Sequence, residues 1–142
     1  MRFLSRRLVM PSDLNYGNSL FGGRVLEWID EEAAIFAICQ VESHNLVTKH
    51  IGEIHFESPA LKGDVVEFGL SVKHVGNTSI TLTCLVRNKA TKNTICLADD
   101  IVFVTIDPES RQPIPHGKNK AALLEQTKAE VRSLNLLPED EE

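Results

Sequence analysis

The chain has no apolar run that approaches the roughly 18 to 20 residues needed to cross a bilayer. Its opening, MRFLSRRLVM, is interrupted by three arginines and holds too short an apolar stretch for a secretory leader, so a cytoplasmic protein without membrane partners is expected. Positive charge is also scarce. Fifteen Lys and Arg against 20 Asp and Glu leave a formal net charge of -5, which argues against the broad basic surface that tracks a phosphate backbone, so nucleic acid is not an expected partner. The three cysteines, Cys39, Cys84 and Cys96, are odd in number, lie among apolar neighbours and show no C-x-x-C spacing; they are expected to be buried free thiols. The five histidines, His44, His50, His55, His74 and His116, follow no H-E-x-x-H or similar ligand pattern, and no bound metal is expected.

What is present is the composition of a packed soluble domain: 42% hydrophobic and 25% charged residues in 142 positions, a length that suits one domain with a sizeable core. Residues 2–9 read as a short strand, followed by the turn-rich MPSDLNYGN. From Arg24 to about Gln40 there is neither Gly nor Pro. Val25, Leu26, Ile29, Ala33, Phe36 and Ala37 fall on one face of a long helix, with Arg24, Glu27 and Glu31 opposite. In AAIFAIC the polar face disappears, so the second half of the helix is expected to be enclosed on most sides.

The rest of the chain alternates with period two. Val47 and Ile51, then Ile54 and Phe56, change parity across Gly52, which reads as a strand with a bulge at that glycine. Val66, Phe68, Leu70 and Val72 share one strand face, with Glu67, Ser71 and Lys73 on the other. After a turn at Gly76 and Asn77, the set Ile80, Leu82, Cys84 and Val86 completes a hairpin. ICLADDIVFVTID is a further strand, apolar at both parities near its end as a central strand is, and stopped by Pro108; Asp99 and Asp100 within it suggest a strand end or bulge. One strand, one long helix and then four strands exclude a doubly wound parallel sheet. The order fits an α+β domain, an antiparallel sheet curled around one long central helix, over residues 1–116. Residues 117–142 read as a polar terminal helix and acidic tail.

The stretch NSLFGGRVLEWIDEEAA places Gly22 and Gly23 where the helix begins and Asp30 two turns later, next to the small residues Ala33, Ala34 and Ala37. Amides at a helix start have no intrahelical acceptor and carry the positive end of the dipole, so they can polarise a carbonyl oxygen. A carboxylate facing the same space could activate water or attack directly. The other reading also stands on the residues alone: the glycines only shape a turn, and Glu27, Asp30, Glu31 and Glu32 form a solvated acidic face. Asp13 is an alternative reactive carboxylate or a turn cap. His55-Phe56 has the first two residues of a dehydratase motif but lacks its glycines, and the HGKNK cluster (His116, Lys118, Lys120) could meet phosphates or simply be solvated.

PSDLNYGNSLFGGRVLEWIDEEAA (11–34) resembles the acyl-CoA thioesterases of the hotdog fold, the group that includes the YciA-type and eukaryotic cytosolic acyl-CoA hydrolases. Asp13, Asn15, Gly17, Phe21, Gly22, Gly23 and Asp30 carry the likeness, the acid standing seven residues after the second glycine. It continues through EIHFESPALKGDVVE, VGNTSI and FVTIDPESRQPIP, over about residues 6–116. The resemblance implies hydrolysis of acyl-CoA, with Asp30 as general base or nucleophile, Asn18 or Asn15 as a polar partner, and the Gly22 and Gly23 amides as oxyanion site. It also implies Phe21, Thr78, Ser79 and Lys118 as substrate contacts, and no cofactor beyond the coenzyme A of the substrate itself. A homodimer is the implied minimal active unit, within a hexamer or tetramer. A non-catalytic acyl-CoA sensor is the alternative use of such a groove. Asn77 stands where many members carry Arg, and Lys49 and Gly52 also depart from the usual pattern.

Overall fold

The computed structural model describes residues 1–124. Its elements are β1 (Arg2–Leu8), α1 (Gly22–Val41), β2 (Leu46–Ile51), β3 (Ile54–Phe56), β4 (Val65–Val75), β5 (Ser79–Asn88) and β6 (Thr94–Thr105). They form one sheet in the order β1-β4-β5-β6-β2, with β3 also paired to β6, and every pairing is antiparallel. The expected α+β architecture is therefore present, with α1 lying against the inner face of the sheet. Val66, Phe68 and Leu70 of β4 and Ile80, Leu82, Cys84 and Val86 of β5 are buried with Val25, Ile29, Ala33, Phe36 and Ala37 of α1 in one cluster. Fully burying each of the larger side chains contributes roughly 1.5–3 kcal/mol, and the fully covered Ala33 and Ala37 let the helix approach the sheet closely.

Several positions differ from the sequence reading. Trp28, rather than Leu26, completes the buried arc of α1: its indole meets Phe68 edge-on at 6.2 Å between centroids, and the Arg7 guanidinium covers it at 5.3 Å. The second half of α1 is not enclosed all round by the described residues, because Ile35 is 56% exposed and Cys39 is exposed. Only Cys84 and Cys96 are the buried thiols expected, and burial pushes them up to about 12 and about 11, respectively.

The bulge on the β2 side falls between Thr48 and His50. Ile51↔Ile101 and Ile54↔Ala98 keep one register across Gly52, where the ladder is merely interrupted. Asp99 and Asp100 do mark a bulge, on β6 where the register with β5 shifts between Leu82 and Cys84. Lys73 Nζ reaches both carboxylates, at 3.1 and 2.7 Å. Beyond Thr105 the chain crosses the β4–β5 turn and begins a helix at 120–124, where Asn119 Oδ1 accepts the Ala122 N–H at 3.0 Å. The remainder of the expected 117–142 helix and tail lies outside the described residues.

Candidate active site

The loop before α1 is folded by its own polar side chains. Asp13 Oδ2 accepts the Met10 N–H at 2.9 Å, Oδ1 lies 3.4 Å from Arg24 Nε, and the Asp13 carbonyl accepts the Phe21 N–H at 2.9 Å. Asp13 thus closes a turn and ties it to the helix start, the capping role weighed against a reactive one. Asn15 Oδ1 accepts the N–H groups of Gly17 (2.8 Å) and Ser19 (3.2 Å), so its side chain shapes the next turn. Asn18 sits at φ 60, a left-handed conformation that Asn tolerates better than most residues, and is exposed.

At the helix start, Arg24 and Val25 both donate to the Phe21 carbonyl, at 2.9 and 3.1 Å. The Gly22 and Gly23 N–H groups precede them and find no backbone acceptor among the described residues. Gly22 lines a cavity of about 400 Å³ together with Asn15, Ser19, Val25, Ile95 and the segment Phe56–Ala60, and Gly23 follows it directly on the helix. A side chain on Gly22 would make an ordinary contact, whereas one on Gly23 would require the Phe21 ring to shift. A Cβ at Gly23 would lie 2.6 Å from Phe21 Cε1, and one at Gly22 would lie 3.4 Å from Phe56 Cζ. Phe21 folds over Gly23 and stays 54% exposed at the rim.

Asp30 lies eight residues after Gly22, about 12 Å along the helix at 1.5 Å per residue, and does not line that cavity. It is half-buried, and its Oδ1 accepts the Thr48 hydroxyl at 2.8 Å. Thr48 belongs to β2, the outer strand of the sheet, and sits at its bulge. One chain therefore gathers Asn15, Gly22 and Gly23 at one place and Asp30 with Thr48 at another, beside an open sheet edge. Thr48 was not anticipated: period-two reading of VTKH marks it only as polar, and the bulge that accompanies its contact with α1 is not visible locally.

Thr78, Ser79 and Lys118 come together beyond the other end of α1. His116 Nε2 lies 2.8 Å from the Gly76 carbonyl and 3.3 Å from that of Ser79, while its Nδ1 accepts the Lys118 N–H at 3.1 Å. The Thr78 carbonyl accepts the Thr105 N–H and hydroxyl at 2.8 and 3.1 Å. Lys118 Nζ pairs with the carboxylate of Glu42, the residue that caps α1, and its hydrogen bond and charge hold that carboxyl below the usual carboxylate range. Within one chain none of these three lines the Gly22 cavity.

An antiparallel sheet around a single helix, with unclaimed glycine amides at the helix start over a cavity, is the arrangement of a thioesterase domain. The Thioesterase superfamily model matches residues 17–95, more than half of the chain and the part that holds both the glycine pair and Asp30, and the chain belongs to that superfamily. A Haemophilus influenzae protein named an uncharacterized acyl-CoA thioester hydrolase is 32% identical over 125 residues, which are 82% of this chain and 80% of the relative. Among solved structures, a hexameric broad-specificity acyl-coenzyme A thioesterase in aspartate-to-alanine form superposes with a TM-score of 0.76 at 25% identity, covering 93% of this chain and 98% of the other. A hexameric thioesterase from Yersinia pestis gives 0.76 at 26% identity, covering 83% and 97%.

Proposed function

We propose that this protein hydrolyses acyl-CoA thioesters to a free carboxylic acid and coenzyme A, in a site that two copies of the chain build together. The observation that carries this reading is the pair of unclaimed Gly22 and Gly23 amides at the start of α1, where Gly22 lines a cavity large enough for a thioester and a water. The carbonyl oxygen points at the two amides, where the dipole of α1 adds to their hydrogen bonds as negative charge develops. Asp30 of the second copy approaches from its open β2 edge. It takes a proton from water as the oxygen attacks the carbonyl carbon, or attacks that carbon itself as nucleophile, in which case thiolate expulsion leaves an acyl-aspartyl anhydride that a water then hydrolyses to the free acid, its proton going to the thiolate. Thr48 occupies one lobe of the carboxylate and leaves the other free to act. The C–S bond then breaks, and coenzyme A leaves as a thiol after taking back a proton. Asn15 holds the loop in shape and borders the cavity.

This division of labour explains why one chain keeps its acid about 12 Å along the helix from its own amides. It makes a homodimer the smallest active unit, and the hexameric neighbours support assembly of such dimers into a hexamer. The aspartate-to-alanine form of one neighbour fits an aspartate-centred mechanism.

A thiol-release assay across acetyl-, butyryl-, hexanoyl-, palmitoyl- and aromatic-CoA esters tests the reading on wild type beside Asp30→Ala. Turnover by the wild type and a loss of about 10²–10⁴-fold in the variant are expected, the range over which a general base contributes. Equal rates in the two proteins remove Asp30 from the chemistry. Tight binding without thiol release by the wild type makes the protein a holder of acyl-CoA instead.

A further inference from the structure

Where the second half of α1 passes β1, apolar side chains of both elements stand open. Leu4 of β1 is 62% exposed, Ile35 of α1 is 56% exposed, and Cys39 is exposed with them. Between the two elements lies a second cavity, of about 180 Å³, walled by Leu4, Ile35, Phe36, Phe68 and Leu70. It shares no lining residue with the Gly22 cavity. It also lies at the β1 end of the sheet, whereas Asp30 meets Thr48 on β2 at the opposite end.

This apolar channel has polar ends. Gln40 and Glu32 both line it and stand eight residues apart on α1, about 12 Å at 1.5 Å per residue. Glu32 Oε1 is held by Arg7 Nη2 at 2.9 Å, and Arg2, five residues earlier on β1, lines the cavity toward Gln40. Gln40 is 8% exposed, and its Oε1 is buried with no hydrogen-bond partner among the described residues. Buried side-chain polar atoms are nearly always paired, and an unpaired one carries an uncompensated desolvation cost, so the amide points to a group that enters the cavity. Amide N and O share one shape; since Oε1 holds no bond, turning the side chain over forfeits none there and presents an N–H instead. A guanidinium at the same end carries five donors, and together these groups favour an anionic oxygen pair over a cation.

We propose that this cavity is a second ligand site, one that takes the carboxylate of a straight-chain aliphatic acid, with its head at Gln40 and Arg2 and its chain along Ile35 and Phe36 toward Glu32. The site stands on its own residues. The hydrolysis proposed above adds a source, because its product is such an acid, and the released acid is then held away from the Gly22 and Gly23 amides.

Cys39 reports on the cavity it lines. Iodoacetamide should alkylate Cys39 in the wild type and spare Cys84 and Cys96, which are fully buried. Octanoate in excess should slow that alkylation about fivefold or more, and the concentration for half protection should fall about threefold to fourfold per methylene from butyrate through hexanoate to octanoate. Octylammonium at the same concentration should not protect. Gln40→Leu, of similar size but without the amide, should weaken the protection about tenfold, and Ile35→Trp, whose ring fills the mouth, should abolish it relative to its own rate without acid. Alkylation of wild-type Cys39 that octanoate does not slow overturns the proposal, as does equal protection by octylammonium or protection that survives in both variants. A Cys39 that reacts slowly without any acid and faster on dilution shows a second copy seated over the cavity, which overturns it too. Failure of the acyl-CoA reading shows itself separately, as a wild type that releases thiol from no CoA ester, because the alkylation needs no turnover.

Discussion

Glu67 on β4 and Asp30 on α1 are both carboxylates drawn away from bulk water, yet the chain surrounds them in opposite ways. Glu67 is 1% exposed, with Arg87 Nε at 2.7 Å and Arg6 Nε and Lys92 Nζ each at 3.4 Å. The Arg87 guanidinium stacks at 3.6 Å on Phe3, and Phe3 lies so close over Gly69 that a Cβ there would fall 2.6 Å from its ring. Asp30 has one hydroxyl at 2.8 Å and an open strand edge. A carboxylate with three cations has its lone pairs occupied and serves to fasten β1, β4 and β5 together. A carboxylate with one neutral partner keeps an oxygen free for a proton or a carbonyl carbon. The same residue chemistry is structural in one place and, in the proposed mechanism, reactive in the other because of what its neighbours leave unused.

That contrast can be broken most forcefully at Glu67. Glu67→Ala leaves Arg87 buried without its partner and should cost about 3–5 kcal/mol, seen as a large drop in Tm, while the folded fraction retains wild-type kcat. Intact stability would place Glu67 among ordinary surface acids. The same site sets an acid dependence. Burial pushes the Glu67 carboxyl up, but the hydrogen bond and charge of Arg87, with Lys92, outweigh it and hold the carboxyl below the usual value. A lowered folded-state value contributes stability fully above the unfolded value, about 4.3, and loses it as pH falls through the folded one. The Tm difference between wild type and Glu67→Gln should therefore shrink as pH is lowered from about 5 to about 3; a constant difference would contradict this assignment.

At the other carboxylate, Thr48→Val removes the hydroxyl from Asp30 on an exposed strand position. It should lower kcat about tenfold, the value of one hydrogen bond to a charged group, with Tm nearly unmoved. A rate equal to wild type would mean that Asp30 needs no orientation. The smallest effect belongs to Gly23→Ala. The new Cβ displaces the rim ring of Phe21, whose exposure makes the shift cheap, and alanine suits a helix better, so stability should change by less than about 1 kcal/mol. kcat/KM should fall severalfold, and unchanged kinetics would show that Phe21 does not border the substrate.

The sequence made the order of elements legible because α1 carries no glycine or proline from Arg24 to Gln40 and β4 and β5 alternate strictly. Gly22, Gly23 and Asp30 were legible through a motif. Thr48 was not, since its meeting with Asp30 depends on a strand 18 residues later and on the bulge at that strand. Alternation puts Glu67 on the strand face opposite Val66, Phe68 and Leu70 but does not show its burial, because it describes one strand at a time while the cover supplied by Phe3 and Arg87 comes from β1 and β5. Cys39 and Ile35 were read as enclosed for the converse reason: an all-apolar helix half states that something covers it, and the described part of a single chain leaves that side open.

The proposed division of the active centre between two chains is tested most directly by mixing two variants, each expected to be inactive alone. Asp30→Asn removes the acid, Gly22→Val obstructs the amides and cavity, and each homo-oligomer should be inactive. After joint unfolding and refolding, a two-fold dimer that pairs the acid of one chain with the amides of the other holds one intact site in every hybrid. The mixture should then recover about a quarter of wild-type activity. No recovery in a mixture shown to contain hybrid dimers would mean that each chain works with its own aspartate, contrary to the proposed two-chain site.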